Sequence, residues 1–480
     1  MMERLREALG PRATDSLFER EFYDRDVAYV PDVVLRLLAK PLPDLVVRPA
    51  NAEEVALVVR LAGAEGVPVT PRAGGSTAYG NVVPTRGGIL LDLNGLSDIG
   101  PVDPETLTVW VGAGATWAEL DLSLRRGGYT VRSYPSSARV ASVGGWFSMG
   151  GLGLGTVRYG HLKDQVEAAD VVLPSGEARR LTEESSPPLE WFAGAEGTLG
   201  ILTGLCLRVR RVPEAEEHFL LEGPDVGAVA ELAQAILGKL GAVVFNLHVN
   251  SGAYNGALSS LEPGRHGAGK PTLAADLEGS PAELEACRGT VRGLAKAHGA
   301  TLRSPEVAQE EWDARLDTLR IKRVFPTVLG AELLLPLAAL PAYVDRCEAL
   351  GGTQKIEILT YGHLVDGGQI LVMSLFASDE RKTARYLLDT SLLKRIYDIG
   401  HGLGGAPYAI GLWNTPYLGR IFDRVALEER RRRKEALDPR GLLNPGKHYA
   451  APLALHPLLF GVGMGSLSWL RRLTARRGAR

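Results

Sequence analysis

Apolar positions along this chain repeat with two different periods. Past "PDLVVRPAN", Val55, Val58, Val59 and Ala62 recur every three or four residues, which predicts an amphipathic helix. Asn51 stands at its N-cap, Glu53 and Glu54 fill its first turn, and Gly66 ends it. "VPVTP" then reads as a strand, completing a strand, helix, strand unit from which a loop at Arg72 departs. "GGILLDL" and "LTVWVGAGA" are strand-like, and "TWAELDLSLRRGG" is a helix with Thr116 and Glu119 at capping-box spacing. "ADVVLPSGEARRL" predicts two strands around a Pro-Ser-Gly turn.

From about Val212 the rhythm changes. "HFLLEG", a helix around "VAELAQAILGKL" and "AVVFNLHV" form a β-α-β unit. "TLAADLEG" followed by "SPAELEACRGTVRGLAKAHG" begins another, with Ser280 as N-cap, Pro281 at the first helical position and Glu283 at the third. Two such units predict a ferredoxin-like antiparallel sheet covered by helices on one side.

A chain of 480 residues is long enough for two or three separately cored domains. A composition that is 45% hydrophobic and 23% charged, with a net charge of -2, gives no overall field for nucleic acid. Cys206, Cys287 and Cys347 lie far apart with no CxxC pair, which argues against a disulfide framework and against a thiolate metal site. The charged opening "MMERLREALG" is unlike a signal peptide, so the expected location is cytoplasmic.

The 57 glycines concentrate where chemistry is expected. In "PVTPRAGGSTAYGNVVP" (68–84), backbone N–H groups around Gly74 and Gly75 can converge on an anion. A second dense set lies in "YPSSARVASVGGWFSMGGLGLGTVRYG" (134–160), followed by "DVVLPSGE", "WFAGAEGTLGILTGLCLRVR" and, near the C-terminus, "LDPRGLLNPGKHY". In order and spacing these stretches resemble the FAD-binding flavoproteins of the vanillyl-alcohol oxidase type, in particular the glycolate oxidase and D-lactate dehydrogenase branch, over roughly 43–447. The resemblance implies an α+β protein: a two-subdomain PCMH-type FAD-binding domain (41–211) and a ferredoxin-like antiparallel-sheet cap over the substrate (212–425). An N-terminal helical segment (1–40), a C-terminal return to the FAD domain (426–450) and a tail (451–480) complete the expected organisation.

By the same resemblance, Arg72, Ala73, Gly74, Gly75, Ser76 and Thr77 wrap the FAD pyrophosphate. Pro135, Ser136, Ser137, Val143, Gly144 and Gly145 run beside the ribityl chain and isoalloxazine, and Glu196, Gly197, Gly200 and Ile201 hold the adenine end. Some relatives tether FAD covalently through a histidine of the first loop. Here Ser76 occupies that place, so the expected FAD is non-covalent.

Many members of this branch bind a divalent metal through a "GHxGDGNxH" and a "GEHGxG" stretch. This chain reads "YGHLVDGGQI" and "IGHGLGG": His363 matches the first ligand, but Ile370 and Gly400 stand where the second histidine and the glutamate belong. One histidine does not replace a three-ligand site, so no catalytic metal is expected. His363 and His401 are the candidate bases for a hydroxyl proton. Arg320 and Lys322 are candidates for a substrate carboxylate or phosphate, and Trp413 and Asn414 for the pocket lining. The function expected by resemblance is an FAD-dependent dehydrogenase of a small hydroxy-acid-like substrate, passing electrons to a quinone, cytochrome or iron–sulfur partner. The alternatives are a metal-independent aldonolactone or sugar-alcohol oxidoreductase, and a flavin-bearing electron-transfer subunit with a decayed substrate site.

Two stretches lie outside these motifs. "EERRRRKEALDPR" reads as a solvated helix that pairs with its own acids. The tail is uncharged from His448 to Leu470 and then holds five arginines in its last ten residues. Its prolines and glycines argue against a continuous helix, and an interfacial segment in peripheral contact with a membrane is expected instead.

Overall fold

The computed structural model describes residues 1–28, 30–262, 269–449 and 451–477. The chain divides into two compact units: Met1–Gly151 with His161–Arg211 and Ala409–Phe460, and Leu152–Gly160 with Val212–Tyr408 and Gly461–Arg480.

The first unit holds two sheets. In one, Leu45–Val47, Ile89–Asp92 and Val69–Arg72 run parallel, with Ala13–Thr14 antiparallel at the edge. Parallel strands are covered on both faces, which is why "LVV" and "ILL" are apolar throughout. The crossover helix Ala52–Glu65 starts where Asn51 Oδ1 accepts from Glu54 N at 2.9 Å, and ends at left-handed Gly66. It packs Val55, Val58, Val59 and Ala62 on Leu45, Val47, Ile89 and Leu91. The other sheet is antiparallel, in the order Ile99–Asp103, Thr108–Gly112, Ile201–Arg211, Val166–Val172, Ala178–Leu181. The helix Trp117–Arg126 carries the expected capping box of Thr116 and Glu119.

The second unit is built on one eight-stranded antiparallel sheet. Its order is Thr301–Leu302, Ala215–Glu222, Thr272–Gly279, Val244–Asn250, Ile358–Leu364, Gln369–Ser378, Thr327–Pro336, Ala406–Pro407. Each half is a β-α-β-β-α-β unit with the fourth strand beside the first, and the two halves join through their second strands. The ferredoxin-like pattern of the sequence is therefore present twice. Tyr343 of the helix Leu340–Gln354 bonds Ser374, which bonds Thr360. His363, an odd number of residues further on, points to the opposite face of the sheet.

The tail departs from expectation. Pro457–Arg477 is one continuous helix. Pro457 sits at the start, where its missing N–H costs nothing, and Arg471 further along is fully buried. No described helix is long and apolar enough to cross a membrane. Ala450 and residues 478–480 of the tail lie outside the described residues.

Candidate functional site

In the first unit, the loop at 72–77 leaves the strand Val69–Arg72. Arg72 donates to the Arg25 carbonyl at 2.6 Å, and its guanidinium lies over the Tyr23 ring. Gly75 adopts φ +57, and a Cβ on Gly74 would lie 2.0 Å from the carbonyl oxygen of Val140. Only glycine lets this loop rest on the 135–142 segment. There Ala138 N donates to the Pro135 carbonyl, while Val140 N and Ala141 N share that of Ser137. Val143 and Gly144 open the helix Val143–Met149 and are buried, with Gly144 close against Ala113 and Gly145 held by Ser142 Oγ. Ala73 packs against the apolar core, and Ser76 and Ser136 are half-buried.

Glu196 (φ +51) lies buried and accepts from Ile410 N and Gly411 N, with His448 Nε2 at 3.4 Å. Burial alone would raise its carboxyl, but His448 and the two amides outweigh that and hold it below its usual value. Gly197 packs on Pro71, the residue before Arg72, and Gly200 on Val171 and Phe192 where Ile201 begins its strand.

Polar atoms left over around these loops test whether FAD fits. Thr77 Oγ1, both amide atoms of Asn81, and Trp413 Nε1 are buried with no hydrogen-bond partner among the described residues. Gly80 brings Trp413 Nε1 beside the same loop. Buried donors and acceptors are normally satisfied, so this set fits a ligand rich in polar groups, and bare glycine backbone fits a diphosphate. Lys447 of the "NPGK" stretch is also buried and donates to the Val83 carbonyl; burial lowers its pKa to about 7. Asn414 is buried and donates to the Ala409 carbonyl. Trp413 and Asn414 thus belong to the first unit.

The second unit has its own cavity, lined by His248, His363, Asn246, Asp276, Arg320 and neighbours. Its volume is about 30 Å³, room for roughly one or two waters. His248 and His363 face each other in register across the seam between the two halves, with ring centroids 4.3 Å apart. His248 Nε2 lies 2.7 Å from Asn250 Oδ1 and so carries the proton, leaving Nδ1 a lone pair 3.2 Å from the His363 ring nitrogens. His363 Nδ1 is 3.3 Å from Asn246 Oδ1; Asn246 Nδ2 donates to Asp276, whose other oxygen meets His218 Nδ1 at 2.9 Å. Burial pushes His248 below the usual imidazole value, and burial plus the neighbouring His248 pushes His363 well below it. Both rings are therefore neutral near pH 7 and able to accept a proton.

Arg320 enters this cavity with its side chain 6% exposed. Its Nη2 pairs with Glu311 at 3.2 Å and its Nε lies 3.9 Å from Glu262, while neither Nε nor Nη1, both buried, has a hydrogen-bond partner among the described residues. His218 stacks on Trp312, and the Arg315 guanidinium also lies over the ring of that tryptophan. Lys322, two residues from Arg320, is exposed, and His401 is an exposed residue at the end of the helix Thr383–His401. The structure therefore gathers His363 and Arg320 and leaves Lys322 and His401 outside their cavity. Ile370 is fully buried, and a Cβ on Gly400 would lie 2.4 Å from Leu333 Cδ2, so a side chain there would have to displace that leucine. No three His, Cys, Asp or Glu side chains among the described residues are placed to hold a metal ion.

Sequence reasoning missed His248, Asn246, Asp276 and Asn81. A signal existed for the first two: in "VFNLHVN" polar residues recur at 246, 248 and 250 on one face of an otherwise apolar strand.

Comparison with known families matches residues 43–182 to the FAD binding domain, and residues 212–448 to the C-terminal domain of FAD linked oxidases. The chain belongs to the FAD-linked oxidases. Among curated relatives, it is 24% identical to the glycolate oxidase subunit GlcD of Bacillus subtilis, over 78% of this chain and 82% of that one. It is also 24% identical to the mitochondrial cytochrome-type D-lactate dehydrogenase of Arabidopsis thaliana, over 78% and 68%. Solved structures share the fold: p-cresol methylhydroxylase has a TM-score of 0.81 at 15% identity (94% and 96% covered), and alkyldihydroxyacetonephosphate synthase 0.75 at 21% (92% and 85%). As an FAD-linked oxidase, the protein is an oxidoreductase with FAD as its cofactor.

Proposed function

We propose that this FAD-linked oxidase oxidises the CH–OH carbon of a small 2-hydroxy acid. The observation that carries the reading is one cavity holding a neutral, buried imidazole pair and a buried guanidinium short of hydrogen-bond partners. Nε and Nη1 of Arg320 take the carboxylate in a charge-assisted pair. His363, backed by His248, takes the hydroxyl proton. FAD, when bound, supplies the two-electron acceptor for the hydride that the carbon gives up. Residues 72–77, 135–145 and 196–201, with Asn81 and Trp413, hold it, and Ser76 leaves it non-covalent.

At about 30 Å³ the cavity must widen to admit any organic acid, and it must widen less for an acid of two or three carbons than for an aldonolactone. The aldonolactone reading keeps one supporting observation: Ile370 and Gly400 stand where the resembling metal-binding motifs carry a histidine and a glutamate. Electrons pass onward to a quinone, cytochrome or iron–sulfur acceptor, in keeping with the cytochrome-type relative, and peripheral membrane contact through 451–480 belongs to the same reading. The test is anaerobic bleaching of the bound flavin by glycolate, D-lactate and an aldonolactone in turn. Bleaching by either hydroxy acid is the expected result. Bleaching by the lactone alone moves the assignment to sugar acids, and none at all moves it to an electron-transfer subunit.

A further inference from the structure

The C-terminal helix Pro457–Arg477 has two unlike sides. Its inward side carries Ser468 and Arg471, both buried. Arg471 Nε donates to Asp389 at 2.9 Å, and its Nη1 donates to Gln354 Oε1 at 2.5 Å. Asp389 also receives Ser378 Oγ and pairs with Arg385. Breaking a buried pair of this kind is strongly destabilising, so the helix is fixed in rotation and its other side stays outward.

That outward side carries Leu458, Leu459, Val462, Trp469 and Leu470, each between 44% and 75% exposed. Residues four, seven or eleven apart share a helix face, so Leu458, Val462 and Trp469 form one row, and Leu459 and Leu470 form a second row beside it. Not one Asp, Glu, Lys or Arg interrupts the sequence between Lys447 and Arg471. An apolar strip of this length is unusual on a soluble surface.

The strip ends beside a group of arginines. Arg472 is exposed. Arg395, on the helix Thr383–His401, has a buried Nη1 with no hydrogen-bond partner; burial and then the charges of Arg472 and Arg471 push it below its usual value. Arg385 and Arg471 share Asp389, and Asp398 is engaged by Lys394 at 2.6 Å.

We propose that the outward face of this helix docks on the anionic leaflet of a membrane, with Val462, Trp469 and the leucines entering the headgroup boundary and the exposed Arg472 meeting lipid phosphates. An amphipathic helix lying in the interface needs this pairing of an apolar face with cations. A second copy of the chain suits the face less well, because the strip has no acid to receive a neighbour's arginines. The inference rests on the peripheral contact of the reading above and on nothing in its catalysis. A protein that floats with vesicles while its flavin resists every acid tested would sink the catalytic reading alone.

The experiment is flotation of the FAD-loaded full chain with phosphatidylcholine vesicles, with and without phosphatidylglycerol. The expected result is flotation with the anionic vesicles, weakened by salt. Val462→Glu with Trp469→Glu should cut the bound fraction by about tenfold or more, and Arg472→Glu should weaken it, while circular dichroism and flavin absorbance stay unchanged. Three results overturn the proposal: no flotation, flotation indifferent to lipid charge, or light scattering that shows a dimer broken by the same paired substitution.

Discussion

Two carboxamides decide which ring nitrogens of the imidazole pair carry protons. Asn250 Oδ1 claims His248 Nε2–H, and Asp276 turns Asn246 so that its oxygen faces His363. The pair is held neutral, so the unfolded chain binds protons at about the ordinary histidine pKa of 6.5 that the folded chain refuses until lower pH. Stability therefore falls as pH drops below about 6.5 and changes little above it from this source. Thermal melts from neutral to mildly acid pH should show that slope, and His363→Gln should flatten it. In turnover, the same variant should lose about a hundredfold in kcat/KM with the oxidised flavin spectrum unchanged, since a base contributes roughly that much. Gly74→Ala would set a methyl on the Val140 carbonyl. It should cost about 1–3 kcal/mol and lower the flavin content, read as the ratio of visible to protein absorbance. The glycine loop was legible in sequence because its shape depends on glycine; the polar row was not, because His218, Asp276 and His248 lie far apart along the chain and meet only through strand register.

Elements whose ends carry their own chemistry were the easiest to read. Asn51, Thr116 and Ser280 each accept from the amide three residues on, as their spacing predicts. Ser280→Ala should cost about 1 kcal/mol, seen as a lower denaturant midpoint. The second half of the eight-stranded sheet was harder to see, since "TVLGAELLLP" and "QILVMSLFAS" are nearly continuous apolar runs whose strand character does not reveal which partner they take. The ladder between those two strands has ten register pairs, but the seam joining the halves has three. Amides bonded across the seam should exchange hydrogen earlier than those of the long ladder in a native-state exchange series. The tail helix escaped the sequence reading because glycine and proline were weighed as breakers. What holds the helix is a buried ion pair with residues some eighty positions away.

On the scale of the whole molecule, two units with separate cores should not unfold as one. The loops proposed to hold FAD lie in the first unit, so added FAD should raise one calorimetric transition, by about 2.7 kcal/mol at a hundredfold excess over Kd, and leave the other in place. The second unit owes its cavity to a division of labour. The two β-α-β-β-α-β halves supply the sheet and its polar row, but Glu311, Trp312, Arg315 and Arg320 all come from the stretch that connects one half to the other, between Leu302 and Thr327. In the proposed reaction the repeated framework supplies the proton acceptor and the connector supplies the anion-binding arginine. A short connector, free to change without disturbing either copy's strand pairing, is where new substrate preferences can be written.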